Sequence, residues 1–182
     1  VDIAHSVNYL ESHDDHTLGD FIRVETGIVI PNQVIKDIDS HAILSEKEIA
    51  IHKIAAMVLL TSQGAVMIAQ GQEWGRSKVI AETNFPDPYV GKLDHNSYEK
   101  DNETNWLNWE HKDANNELVE FYKSVIRIRK ENDLLRNADP NNFRFLIPDK
   151  ESVAVAFSIS KKGNEIAVLM NSSQSETISF DI

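Results

Sequence analysis

Val7-Asn8-Tyr9-Leu10-Glu11-Ser12-His13-Asp14-Asp15-His16-Thr17 is the stretch on which the fold turns. Residues 6 to 11 read as a short buried strand, and the apolar pattern stops abruptly in the polar cluster Glu11 to Thr17. The same sequence of events recurs further on. Ala65 to Ala69 is a second apolar run, too short for a helix between its glycines, and it ends in Gln70-Gly71-Gln72-Glu73-Trp74-Gly75. Between the two, Ser45 with Glu48 three residues later predicts a capping box, in which each side chain satisfies an orphan backbone donor of the other. Ile51, Ile54, Ala55, Val58 and Leu59 follow at helical spacing and predict a buried stripe that ends at Gln63-Gly64. Strand, polar cluster, helix, strand, polar cluster is the order of parallel α/β sheets and (β/α)₈ barrels, which gather their chemistry at the C-terminal ends of the strands.

Outward from this unit, Asp20 to Ile30 is weakly patterned, and Pro31-Asn32 marks a connection. Arg76 to Lys112 has no periodicity and is rich in Asn, Asp, Pro and Trp, a length of irregular chain expected to line a site. Asn116 to Glu131 reads as an amphipathic helix with Leu118, Val119, Tyr122, Val125 and Ile126 on one stripe. After Asp139-Pro140 the period changes to two. Phe143/Phe145/Ile147, Val153/Val155/Phe157/Ile159, Ile166/Val168/Met170 and Ile178/Phe180 alternate, and Pro148-Asp149, Lys162-Gly163-Asn164 and Ser172-Ser173 supply turns. The pattern predicts an antiparallel meander. Residues 1–136 are therefore expected to be barrel-like and 137–182 a partial all-β domain.

The composition is that of a chain that can bury a core: 182 residues, 41% hydrophobic and 26% charged. Eighteen Lys and Arg against 29 Asp and Glu leave a formal net charge of −11, a field that repels phosphate backbones and anionic membrane surfaces. Nucleic acid and membrane are not expected partners, and no run of about 18 apolar residues is present. With no Cys, disulfide scaffolds, thiolate metal sites and cysteine nucleophiles are excluded. The start at Val1, without Met and running almost directly into an apolar strand, leads us to expect a chain cut from something longer, in an unknown compartment.

A carboxylate fixed at a strand end, with a histidine beside it, can stabilise positive charge developing on a substrate while the imidazole binds a hydroxyl. His13-Asp14, in the string Asn-Tyr-Leu-Glu-Ser-His-Asp followed by Thr17-Leu18, resembles the last signature region of the α-amylase superfamily, glycoside hydrolase family 13. There the pair ends the seventh strand of a (β/α)₈ barrel, and the longer form is similar to the pullulanase, isoamylase and glycogen-debranching branch. Leu60-Thr61-Ser62-Gln63-Gly64 with Gln70-Gly71-Gln72-Glu73 resembles the passage from helix to eighth strand. Arg76-Ser77-Lys78, Asn96-Ser97-Tyr98, Asp101-Asn102-Glu103 and Trp106-Leu107-Asn108-Trp109 resemble the long loop after that strand.

The resemblance implies strands 7 and 8 of the barrel with their helices, then an antiparallel C-terminal domain, from a retaining α-glucan hydrolase of the α-1,6 debranching kind. It implies Asp14 as the transition-state stabiliser and His13 as a ligand of sugar hydroxyls. Arg76, Asn96, Tyr98 and Asp101 lie where substrate contacts are expected. A retaining glycosidase also needs a nucleophile and an acid/base about 5 Å apart. Nothing in this chain matches either, so both are expected from the remainder of the barrel N-terminal to Val1, and the isolated chain is expected to be catalytically incomplete. Asp15 stands where the family usually has Asn, Gly19 where the branch commonly has Trp, and Gln72 where Glu is common. No cofactor is implied; bound Ca²⁺ occurs in such barrels, but no oxygen-ligand loop here has a recognisable spacing.

Two other readings fit the same residues. One is a non-catalytic α-glucan-binding relative, motivated by Asp15 and Gly19. The other takes His5, His13, Asp14, Asp15 and His16 as a metal cluster of a His-Asp phosphohydrolase, whose pair would sit on a helix rather than after a strand.

Overall fold

The computed structural model describes residues 5–146, 153–173 and 175–180. Val7–Asn8 (β1) pairs in parallel with Ala65–Val66 (β2), and Asn8 donates its side-chain amide to the carbonyls of Gln63 and Ala65 at 2.7 and 3.3 Å. The expected strand over 6–11 is therefore short, and it is not buried: Val7 is 61% exposed and Tyr9 also lies largely open. Parallel strands are normally covered on both faces. Among the described residues the parallel ladder has these two strands only.

The weakly patterned stretch after the polar cluster holds a helix, α1 (Leu18–Glu25). Thr17 caps it, its Oγ1 accepting the N–H of Asp20 at 3.0 Å, and Glu11 accepts the N–H of Leu18 at 2.8 Å. Its buried face includes Asp20 and Arg23, which is why no apolar period marked it. A short helix, α2 (Ile38–Ala42), follows, then α3 (Glu46–Thr61). The capping box forms as expected: Glu48 accepts the N–H and Oγ–H of Ser45 at 2.8 and 2.5 Å, and the N–H of Glu48 lies 3.4 Å from Ser45 Oγ. The buried stripe differs from the expected one. Glu48, His52, Ala56, Leu59 and Leu60 point inward, and Val58 is exposed. The helix is rotated because Glu48 pairs with Arg23, at 3.2 Å, and two polar residues therefore take the interior face.

Of the stretch Arg76 to Lys112 expected to be irregular, residues 76–108 are so, apart from two isolated bridges, Val79 with Leu93 and Asp14 with Asn96, whereas Trp109 to Lys112 lie in a helix that Asn108 caps by accepting the N–H of Glu110 at 2.9 Å. Next come α4 (Trp109–Ala114), α5 (Asn116–Glu131) and the short α6 (Leu134–Asn137). Leu118, Val119, Tyr122 and Val125 are buried on α5, and Arg129 joins them. Its guanidinium donates to the carbonyls of Leu60, Ser62, Gly64 and Leu135 at 2.6 to 2.8 Å, which satisfies one C-terminal carbonyl of α3 and two of the turn after it.

The C-terminal part is an antiparallel sheet in the order β3 (Phe143–Phe145), β4 (Ala154–Lys161), β5 (Asn164–Asn171). Lys162 and Gly163, both at positive φ, make the hairpin turn. The phase of β4 departs from expectation: Val153 and Val155 are exposed, and Ala154, Ala156, Phe157, Ser158 and Ile159 are buried. No strand forms at Ile178/Phe180. The Pro148-Asp149 turn and Ile147 lie outside the described residues.

The chain divides into two compact units. One comprises residues 1–8, 54–66 and 124–182, and the other 9–53 and 67–123. The first is centred on an apolar cluster of Leu135, Ala138, Phe157, Ile159, Val168 and Met170. The second carries every residue singled out for the candidate site.

Candidate functional site

Within residues 9–123, a hollow of about 480 Å³ is lined by Glu11, His13, Arg76, Lys78, Tyr98 and Asn105, among others. His13 Nε2 lies 3.2 Å from Asp14 Oδ1, and both side chains are open, 69% and 73% exposed. Of the expected residues, His13, Arg76 and Tyr98 therefore line one hollow. Asp14 is tied to it through His13, and Asn96 through its bridge to Asp14. Asp101 is exposed and does not line it.

Arg76 is steered by local backbone. Gly71 has φ +99°, and a Cβ there would meet Arg76 Cδ at 2.6 Å, so glycine lets the arginine stem pass. Its guanidinium donates to the carbonyls of Asn105 and Gln70 at 3.1 and 3.4 Å. Burial lowers its pKa, partly offset by the charges of Glu11 and Asp20. Tyr98 is held by its own neighbour, donating its hydroxyl to Glu99 at 2.8 Å.

Three residues shape the loop that carries His13 and Asp14 without having been singled out from the sequence. Glu11 is buried, and that burial pushes its carboxyl up to about 7 against the pull of the Leu18 N–H. By accepting that N–H it ties the start of the polar cluster to the first turn of α1. Lys78 donates its Nζ to the carbonyls of Asp15 and His13 at 2.8 and 3.4 Å, closing the loop from the other end. Burial lowers its pKa, with Arg76 acting in the same direction. Asp20 is fully buried and takes the Lys78 backbone N–H at 2.8 Å. Burial alone would raise Asp20, but hydrogen bonds from His41 and Ser77 and the charge of Arg23 hold it below the usual carboxylate range. The sequence signals were weak: an acidic residue at the end of an apolar run, and a lysine two residues past Arg76.

The three departures from the family pattern have local causes. Asp15 has φ +60°, a conformation that Asn and Asp share more readily than other residues, so backbone geometry accounts for either at this position. A Cβ on Gly19 would lie 2.6 Å from the Gly75 carbonyl oxygen and 2.9 Å from that of Arg76, so α1 packs too closely here for any larger side chain. Gln72 is fully buried and donates to the Tyr122 hydroxyl at 3.0 Å. Burial pushes that phenol up to about 12, so the neutral amide at 72 meets a neutral hydroxyl in the interior.

Among the described residues, no group of three or more His, Asp or Glu side chains converges to hold a metal ion. His16 packs edge-on against His95, at 6.2 Å between ring centroids, instead of joining His13. No described helix is long and apolar enough to cross a membrane.

No family model matches the chain. Over 127 residues it is 28% identical to a pullulanase of Bacillus subtilis, covering 70% of this chain and 14% of that protein. Over 140 residues it is 26% identical to a glycogen debranching enzyme of Pectobacterium carotovorum, covering 69% and 19%. The crystal structure of a pullulanase from Paenibacillus barengoltzii, complexed with maltohexaose and α-cyclodextrin, superposes with a TM-score of 0.68 at 29% identity, over 93% of this chain and 23% of that one. The chain is a relative of pullulanases and glycogen debranching enzymes. It spans less than a fifth of the length of these two curated relatives. Its mixed helix and sheet architecture, with the antiparallel sheet near the C-terminus, is shared with solved pullulanases over nearly all of its length.

Proposed function

We propose that this pullulanase relative contributes to a retaining glycoside hydrolase acting on α-glucans, with α-1,6 linkages of pullulan, starch or glycogen as the preferred bonds. The observation that carries the reading is the His13–Asp14 pair, whose histidine lines one hollow with Arg76 and Tyr98. The names and the bound maltohexaose of the relatives support it. In this reading residues 1–136 supply strands 7 and 8 of a (β/α)₈ barrel with their helices, and 137–182 belong to a β-domain.

Glycoside cleavage passes through an oxocarbenium-like state with positive charge on the sugar ring. Asp14, open to solvent and oriented by His13, places a carboxylate where that charge develops. His13 binds hydroxyls of the ring being cleaved, and Arg76, Asn96 and Tyr98 serve the neighbouring glucose, whereas Asp101, expected beside them, lies outside the hollow. Lys78 and Glu11 hold the loop geometry from its two ends. The nucleophile and the acid/base are not matched by residues of this chain, and the chain by itself is inactive.

The test is reducing-end release from pullulan and from amylose by the full reading frame beside its Asp14→Asn variant. Release that falls by about a hundredfold or more in kcat upon substitution is the expected result, as for loss of a preorganised electrostatic group. Release from neither polymer favours the α-glucan-binding relative that cleaves nothing. Unchanged release in the variant removes Asp14 from the mechanism.

A further inference from the structure

A second hollow in the same unit, of about 610 Å³, is lined by Trp74, Trp106 and Trp109. Trp74 is buried, but Trp106 is 61% and Trp109 58% exposed. The rings of Trp74 and Trp109 pack at 5.4 Å between centroids, so the Trp109 indole is backed by the buried Trp74, and Trp106 lines the same hollow.

The polar part of the lining is equally organised. Asn108 caps α4, its Oδ1 accepting the Glu110 N–H at 2.9 Å, which leaves its amide nitrogen 3.5 Å from Asp39 Oδ1 and 3.2 Å from His111 Nε2. His111 Nε2 in turn lies 2.7 Å from Asp39 Oδ1. Glu103 and Glu110 add further acceptors, and the guanidinium of Arg76 is engaged with the carbonyls of Asn105 and Gln70. An acidic lining disfavours anions. Flat apolar plates beside fixed carboxylate, amide and imidazole groups match a neutral pyranose, whose C–H face covers an indole while its hydroxyls both donate and accept.

We propose that the tryptophan hollow binds a glucosyl unit of an α-glucan chain, with Trp106 as the stacking plate and Asp39, Asn108 and His111 as hydroxyl partners. The choice of α-glucan rests on the reading of the His13 hollow; the match of plates and hydroxyl partners does not.

The experiment is calorimetric titration with maltohexaose and electrophoretic retardation in amylopectin gels, with hydroxyethylcellulose gels as the β-glucan control. The proteins are the wild type, Trp106→Ala, Trp106→Phe and Asp14→Asn, each checked by circular dichroism. Trp106 is exposed, so its replacement leaves the interior intact. The expected result is that Trp106→Ala weakens maltohexaose binding about tenfold, the value of one aromatic stacking contact with its apolar area. Trp106→Phe recovers most of the loss, and Asp14→Asn retains the Trp106-dependent binding. Wild-type binding in Trp106→Ala, no binding by any protein, or equal retardation by the β-glucan overturns the proposal. If Trp106→Ala binds normally while Asp14→Asn abolishes sugar release, the inference falls and the hydrolase reading stands. The converse pair of results keeps the sugar site and removes the reaction.

Discussion

In the unit of residues 1–8, 54–66 and 124–182, Leu135, Ala138, Phe157, Ile159, Val168 and Met170 close on one another as an apolar cluster. The unit of residues 9–53 and 67–123 instead buries Asp20, Arg23, Glu48, His52, Gln72 and Asn115. Hydrophobic packing is non-directional and tolerates many arrangements of similar volume. A buried charged network is held by particular distances, because each unpaired member costs far more than a lost methyl group. The contrast shows how positions are fixed here: the candidate site belongs to the unit whose interior specifies geometry. Arg23 reaches Glu48, Asp20 and the Gly75 carbonyl, and Asp20 reaches the backbone of Lys78, whose side chain shapes the His13 loop.

The harshest way to break the comparison is Arg23→Ala. It leaves Asp20 and Glu48 buried without their guanidinium and is expected to cost about 3–5 kcal/mol in urea unfolding. A cost below about 1 kcal/mol would mean that the interior is not organised by this ion.

A second test uses pH. Glu11 is raised to about 7, so the native chain holds a proton there that the unfolded chain has released, and stability falls as pH climbs from about 4.5 to about 7. Burial, helped by the charge of Arg23, lowers His52 from 6.5 to about 4, so stability instead falls as pH drops through that range. The two slopes oppose one another between about pH 4.5 and 6.5. In Glu11→Gln, stability should rise by about 2 kcal/mol from about pH 5 to 6.5, and in His52→Leu it should fall by about as much, with the wild type nearly flat. Parallel urea curves for all three proteins at both pH values would show that these groups do not titrate in the folded chain.

The smallest effect belongs to the apolar unit. Ile159→Val removes one buried methylene and should cost about 0.5–1.5 kcal/mol, with no pH dependence. A pH-dependent loss would blur the distinction between the two interiors.

What could be read in the sequence follows the same division. The helix over Asn116–Glu131, the capping box at Ser45 and Glu48, the irregular segment before α4 and the antiparallel hairpin with its Lys162-Gly163 turn were legible. Each rests on neighbours a few residues apart. The helix α1 was not legible, because Asp20 and Arg23 occupy its buried face and interrupt the apolar period. For the same reason the inward stripe of α3 was misplaced toward Val58. In β4 the phase slipped because Val153 and Val155 have strand propensity but face outward, whereas small Ala154 and Ala156 are buried.

The sequence by itself determined local elements such as α5 and the C-terminal hairpin, the order of strand, polar cluster and helix, the net charge of −11, and the likeness of His13-Asp14 and its surroundings to debranching enzymes. Those properties depend on composition and on spacings within a turn or a strand. Tertiary structure alone decided that His13 shares a hollow with Arg76 and Tyr98, that Glu11 and Lys78 hold its loop, that Gly19 has no room for a side chain, and that two tryptophans stand open beside a polar triplet. Those facts depend on groups far apart in the chain, whose burial and pairing have no period for a sequence to display.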